Sequence, residues 1–259
     1  MENGGSGHRQ RKRPRGIYLL PNLFTTAGLF AGFYAIVAAT SDRFEAAAVA
    51  IFVAMIMDGI DGRVARLTNT QSEFGVQYDS LSDMVCFGLA PALVVYEWAL
   101  RDLSAYGWFW AKVGWLGAFI YAAGAALRLA RFNAQVGVAD KRYFQGLPSP
   151  SAAAVVAGFV WLGTDAGFLG RELVWPALAL TLLSGLLMVS NFRYYSFKEV
   201  DFKNRVPFVV LLMVVLLLVF VALDPATFLF AGFFCYLVSG PALTLWHLRE
   251  RRQRRNPEA

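Results

Sequence analysis

Eight apolar segments, most of them close to the length of a membrane-crossing helix, leave this chain of 259 residues few ways to fold. They run from Pro21 to Ala39, Phe44 to about Leu67, about Asp79 to Ala99, Trp108 to Ala130, Ser151 to Leu169, Val174 to Val189, Val206 to Leu223 and Ala226 to Leu245. A helix needs roughly 20 apolar residues to cross the hydrocarbon. Backbone groups in lipid must bond within their own element, so each segment is expected to be helical. The expected fold is all-α: a polytopic transmembrane helical bundle of about eight spans. Composition agrees. Apolar residues make up 57% of the chain and charged residues 16%, where a soluble domain carries about a quarter charged residues. A water-soluble globule and a disordered chain are both excluded on this count. Cys86 and Cys235 lie far apart in apolar stretches, and His8 and His247 lie near the termini. Neither pair offers a disulfide framework or metal-ligand spacing.

The basic residues set the orientation. With an even number of spans, one side collects 20 of the 24 Lys and Arg residues. The other side keeps Arg43, Arg101, Lys112 and Arg171. An excess of positive charge marks the cytoplasmic side. The runs Arg9 to Arg15 and Arg249 to Arg255 flank spans and lack interleaved aromatic residues. They suit anionic headgroups or serve as a topology signal alone, and a nucleic-acid partner is not expected. No small-residue cleavage site follows the first apolar run, so the basic start is expected to be retained.

The second and third segments are apolar over only part of a span. Their polar parts face each other across Thr68 to Gln77, as expected of two helices lining a wet cavity open to the cytoplasm. A loop flanked by two short helices would share that pattern. Asp58 and Asp61 stand at i and i+3, and Asp79 and Asp83 at i and i+4, so each pair occupies one helical face. Four converging carboxylates repel unless their pKa values rise or cations neutralise them. Mg²⁺ suits carboxylates together with phosphate oxygens and retained waters. Two such ions about 3.5–4 Å apart clamp a phosphate undergoing in-line displacement. Gly62, Ala65 and Gly75 can clear a slot on the acidic face, and Arg66 offers a planar fork for phosphate. Two other readings stay open at this point: close helix packing for the small residues, and a cation channel or proton-coupled carrier for the carboxylates.

The stretch from Asp58 to Asp83 resembles the signature of the CDP-alcohol phosphotransferase family, D-x-x-D-G-x-x-A-R, eight residues, then G-x-x-x-D-x-x-x-D. Asp58, Asp61, Gly62, Ala65, Arg66, Gly75, Asp79 and Asp83 fill all eight fixed positions at the family spacing. The resemblance implies an integral membrane enzyme that breaks the diphosphate of a CDP-linked lipid or alcohol, passes the phosphoryl moiety to an alcohol and releases CMP. It implies that Asp58, Asp61, Asp79 and Asp83 bind two Mg²⁺ or Mn²⁺ ions, with Asp83 also the base. It implies that Gly62, Ala65, Arg66, Gly75 and Ser72 serve the CDP-diacylglycerol side, together with Asn22 and Thr25 at the start of the first helix.

Further stretches resemble the branch of that family formed by the membrane-integral bacterial phosphatidylserine synthases. They are Leu20 to Thr25, Phe87 to Ala92, Arg128 to Asn133, Phe144 to Pro150 and Tyr194 to Lys198. That resemblance implies CDP-diacylglycerol and L-serine as substrates, a homodimer, and a bacterial inner-membrane enzyme with its site facing the cytoplasm. Glycerol 3-phosphate, inositol phosphate or choline are the alternative acceptors. Serine carries a carboxylate, so its pocket should hold a cation. Arg128 and Arg131, at i and i+3 on the inner end of the fourth segment, are the better candidates beside Lys141 and Arg142. Asn133 is a further polar contact. The chain then divides into a basic segment 1–16, a transmembrane catalytic domain 17–248 and a basic tail 249–259.

Overall fold

The computed structural model describes residues 19–68, 72–134, 143–195 and 208–255, with side chains at most of these positions. The described residues form nine α-helices: α1 (Leu19–Thr40), α2 (Phe44–Thr68), α3 (Glu73–Asp83), α4 (Ala90–Trp98), α5 (Trp108–Ala134), α6 (Ser149–Asp165), α7 (Val174–Val189), α8 (Phe208–Leu223) and α9 (Pro225–Arg255). A π-helical turn, Met84–Leu89, joins α3 to α4 without a break. Eight helical bodies result among the described residues, one for each apolar segment. Lys141 and Arg142, the basic run before residue 16 and the loop basic residues Lys198, Lys203 and Arg205 lie outside the described residues.

The chain is an integral membrane helical bundle. Pro21–Thr40, Glu73–Trp98, Trp108–Ala134 and Pro225–Thr244 are each long and apolar enough to cross a membrane. In α2 the charged residues Glu45, Asp58, Asp61, Arg63 and Arg66 break the apolar run. Helices α6 and α7 have 17 and 16 residues, about 25 Å each at 1.5 Å per residue.

Small side chains set the packing. Ala35 and Ala39 of α1 and Ala47 and Ala48 of α2 are wholly buried. Such residues let membrane helices approach closely, where dispersion replaces the hydrophobic drive available in water. Helix α6 is enclosed along Ala152 to Ala157 and packs against α2, α7 and α9. Cys86 donates to the Gly28 carbonyl at 3.2 Å, seating the π-helical turn on α1. Tyr121 of α5 donates to the Phe87 carbonyl at 3.0 Å inside that turn.

Three boundaries differ from the sequence reading. The third helix begins at Glu73, because the Ser72 hydroxyl accepts from the Gly75 N–H at 3.0 Å and caps it. The fifth apolar segment begins as helix at Ser149, with Pro150 in the first turn, where its missing N–H costs no helical bond. Helix α9 runs on to Arg255, through the expected start of the tail at 249. Two three-residue strands, β1 (Tyr143–Gln145) and β2 (Arg193–Tyr195), pair antiparallel below α5 and α7. The fold stays all-α around this small clip.

The end opposite the carboxylates is closed by residues 97–112 and 166–175. Arg101 bonds both Asp42 at 3.0 Å and Glu97 at 2.9 Å. These contacts join the α1–α2 turn to the 3₁₀ segment Leu100–Tyr106. Trp110 and Trp175 meet edge to face at 4.9 Å, and Lys112 lies 3.9 Å from the Trp108 ring centre. Arg43, Arg101, Lys112 and Arg171 thus gather with these elements, away from Asp58 and Asp79.

Candidate active site

Helices α1, α2 and α3 build the acidic cavity. Asp58 and Asp61 share a face of α2, and Asp79 comes from the facing helix α3. One carboxylate oxygen from each of these three lies within 4.8 Å of the others. Asp83, one turn further along α3, lines the same cavity, beside Thr25 of α1 and Ser82. Thr25 is 5% exposed and donates to Asp61 at 2.7 Å. That bond fixes the Asp61 rotamer. The Ser82 hydroxyl donates to the Thr25 carbonyl at 3.3 Å and ties α3 to α1 at the same level. The oxygen-only donor set fits a hard divalent cation. Residues Asp58, Asp61 and Asp79 therefore form a cluster that could hold a divalent metal ion.

The residues assigned to the nucleotide side fall into two groups. Asn22, Ser72 and Gly75 come together: a methyl group added at Gly75 would stand 3.2 Å from the Ser72 hydroxyl and 3.5 Å from the Asn22 side-chain oxygen. Thr26 bonds the Tyr78 hydroxyl at 2.9 Å, which holds α1 against α3 beside them. Gly62, Ala65 and Arg66 follow on α2. A methyl group at Gly62 would meet nothing within 4 Å, so no neighbour within the described residues demands a glycine there. Arg66 is exposed and forms no hydrogen bond or ion pair with the described residues.

The residues assigned to the acceptor separate. Arg128 of α5 is part-buried and donates to the Ser149 hydroxyl at 2.6 Å. It lies in the electrostatic field of Asp83. Arg131, one turn on, has its guanidinium engaged by backbone. It donates to the carbonyls of Gln145 at 2.8 Å, Val189 at 3.1 Å, Met188 at 3.2 Å and Ser190 at 3.3 Å, and to the Asn191 side chain at 3.4 Å. The carbonyls of Met188, Val189 and Ser190 are orphans at the end of α7, the place where a cation also meets the negative end of the helix dipole. Gly146, at φ +78°, brings its backbone under Arg131 and the Met188 carbonyl, where a side chain would collide. Asn133 donates to Ser80 at 3.0 Å and joins the end of α5 to α3.

Sequence reasoning did not single out Ser82, Ser149 or the π-helical turn directly after Asp83. Ser149 carried one signal, its place in Pro148-Ser149-Pro150 at a helix start. π-helical turns concentrate at functional sites, yet no residue pattern in Met84–Leu89 announces one.

Comparison with known proteins addresses the signature directly. The CDP-alcohol phosphatidyltransferase family model matches residues 18–183. The chain belongs to that family. The family matched by this model uses a divalent metal, in keeping with the carboxylate cluster. Similar curated proteins include a CDP-diacylglycerol–serine O-phosphatidyltransferase of Helicobacter pylori, 39% identical over 224 residues, covering 86% of this chain and 90% of the relative. A protein of the same description from Methanocaldococcus jannaschii is 38% identical over 144 residues, 56% of this chain and 61% of the relative. An archaetidylserine synthase of Methanothermobacter thermautotrophicus is 31% identical over 179 residues, 68% of this chain and 69% of the relative. The family model reaches from α1 into α7, so α8 and α9 lie beyond it.

Proposed function

We propose that this chain transfers the phosphatidyl group of CDP-diacylglycerol to L-serine, giving phosphatidylserine and releasing CMP. The observation that carries the reading is the eight-position signature, whose carboxylates converge from two helices in one cavity. The relatives described as serine O-phosphatidyltransferases support serine as acceptor.

Asp58, Asp61, Asp79 and Asp83 would hold two divalent ions, Mg²⁺ or Mn²⁺, which neutralise the diphosphate and stabilise charge developing on its oxygens. Arg66 pairs with the nucleotide phosphate, and Gly62 and Ala65 give the CDP group room against α2. Asn22, Thr25, Ser72 and Gly75 form the wall on the α1 and α3 side. Asp83 takes the proton of the serine hydroxyl as its oxygen attacks the phosphorus bonded to diacylglycerol. The bond from that phosphorus to the oxygen of CMP breaks, and CMP leaves. Arg128 pairs with the serine carboxylate, supported by its place between Ser149 and Asp83. Arg131 holds the edge of that pocket, a reading supported by its bonds to the carbonyls at the end of α7, and Asn133 fixes α5 to α3. The site faces the cytoplasm of a bacterial inner membrane in an eight-span arrangement, a reading supported by the distribution of basic residues. The terminal segments 1–16 and 249–259 flank the catalytic domain 17–248 and contact anionic headgroups. The family resemblance supports a homodimer.

Purified protein given CDP-diacylglycerol, Mg²⁺ and one acceptor at a time tests this. Serine should release CMP fastest and yield phosphatidylserine. Faster turnover of glycerol 3-phosphate or inositol phosphate would overturn the acceptor assignment and leave the family membership intact.

A further inference from the structure

Helix α9 lies beyond the region matched by the family, yet it is fastened to the acceptor end of the site by an unusual bond. Pro241 stands inside α9. Proline has no N–H, so the carbonyl four residues earlier, that of Leu237, loses its helical donor. Leu237 is 1% exposed, and a buried carbonyl without a partner is costly. The donor comes from another element. The Tyr194 hydroxyl of β2 donates to the Leu237 carbonyl at 3.1 Å. Tyr194 is wholly buried, and its ring lies directly over Gly240, where any side chain would collide with it. Proline, glycine and tyrosine therefore make one device: Pro241 frees the acceptor, Gly240 clears the ring, and Tyr194 closes the bond.

The device fixes the residue beside it. The Tyr236 ring, one position before Leu237, packs against the Tyr194 ring at 5.4 Å between centres. Tyr194 pairs across the clip with Phe144, next to Gln145, whose carbonyl accepts from Arg131, so the Tyr194–Tyr236 ring pair stands at the Arg128–Arg131 end of α5. Helix α9 packs along α6, the helix whose first residue, Ser149, holds Arg128. Three helices thus meet at this end: α5 carries the guanidinium, α6 fixes one of its N–H groups, and α9, packed along α6, brings the Tyr236 phenol to the same level. A guanidinium presents five N–H donors in a planar fork and has no acceptor. A carboxylate seated on that fork has lone pairs to spare, and a neighbouring phenol is a suitable further donor.

We propose that Tyr236 is a specificity-determining residue of the acceptor pocket, its hydroxyl donating to the acceptor carboxylate that Arg128 binds, and that Tyr194 is its positioning residue, holding α9 in place through the bond to Leu237 at the Pro241 break. The inference rests on the proposed acceptor site at Arg128 and extends it to a helix outside the family region.

Steady-state kinetics of the full-length protein in CDP-diacylglycerol vesicles test it, with both substrates varied. Tyr236→Phe should raise the KM for serine about threefold to tenfold, the effect of one hydrogen bond. Its KM for CDP-diacylglycerol and its kcat should stay within about twofold. Tyr194→Phe keeps the ring and removes the donor, so it should move the same constant in the same direction by less. Tyr194→Phe combined with Pro241→Ala should return the serine KM toward wild type, because the backbone N–H at position 241 again supplies Leu237. An unchanged serine KM in Tyr236→Phe overturns the proposal. So does an equal rise of both KM values with a lower melting temperature, which marks a merely structural tyrosine. If wild type prefers another acceptor, that preference overturns serine as substrate, and the KM for the preferred acceptor then decides the role of Tyr236.

Discussion

The two ends of this bundle are built to opposite standards of completion. At the end opposite the carboxylates, Arg101 is bonded to both Asp42 and Glu97. Gly170 sits where an added methyl would collide with the Trp98 carbonyl, and Ala99, Leu100 and Leu103 are wholly buried. At the acidic end, Arg66 has no partner among the described residues, Gly62 faces open space, and three carboxylates crowd within 4.8 Å. The closed end pairs Arg101 and packs its backbone tightly from its own sequence. Among the described residues, the acidic end leaves Arg66 without a partner and the space beside Gly62 open, as a site for a ligand would. The same residue types, arginine and glycine, serve closure in one place and reception in the other.

Removing what the acidic end is proposed to receive should have the largest effect. EDTA should abolish CMP release and Mg²⁺ or Mn²⁺ restore it. Asp58→Ala should be inactive while still inserting in the membrane, and Asp83→Asn should lower kcat by about 10²–10⁴ while CDP-lipid binding persists. Full turnover after metal removal would erase the contrast between the ends.

Exchanging the two glycines sharpens the comparison. Gly170→Ala should lower the melting temperature, since overpacking costs about 1–3 kcal/mol, and leave the KM for CDP-diacylglycerol unchanged in the folded fraction. Gly62→Ala should do the reverse: the melting temperature holds and that KM rises about tenfold. A destabilised Gly62→Ala would mean that packing, not a ligand, set the residue.

Arg128 and Arg131 make the same contrast within one helix. Arg128→Ala should raise the serine KM by at least tenfold, because an unpaired site discriminates strongly. Arg131→Ala should instead reduce melting temperature and yield, since it removes the donor from the Met188, Val189 and Ser190 carbonyls at the end of α7. A selective serine KM effect at Arg131 would return it to the pocket.

The smallest effect belongs to Arg101→Ala. Its side chain is 45% exposed, and exposed ion pairs contribute about 0–1 kcal/mol. Activity should stay within twofold and the melting temperature should shift only slightly.

What the sequence made legible follows the range of the interactions. The carboxylate pairs were readable because spacings of three and four residues place side chains on one face regardless of the rest of the fold. Helix existence was readable because each backbone in lipid must satisfy itself. The fate of Arg131 was not, since its partners lie 14 to 60 residues away and include the end of α7. Nothing in Arg128-Leu129-Ala130-Arg131 tells which arginine meets a hydroxyl and which meets carbonyls. The start of α3 was missed by reading Ser72 only as a ligand contact, although a serine three residues before Gly75 is also a helix cap. The bond from Tyr194 to Leu237 spans 43 residues, and only the proline at 241 hinted that a carbonyl there would need a donor.

The closed end has a consequence for the membrane as a whole. With the proposed reaction at the acidic cavity, water-soluble reactants enter and CMP leaves on the side where the head group of the lipid precursor sits. Under the proposed function every phosphatidylserine molecule is born in the leaflet that its precursor occupied. Catalysis by this chain therefore creates a sidedness in the bilayer, and any balancing of the two leaflets falls to separate machinery that carries finished lipid across.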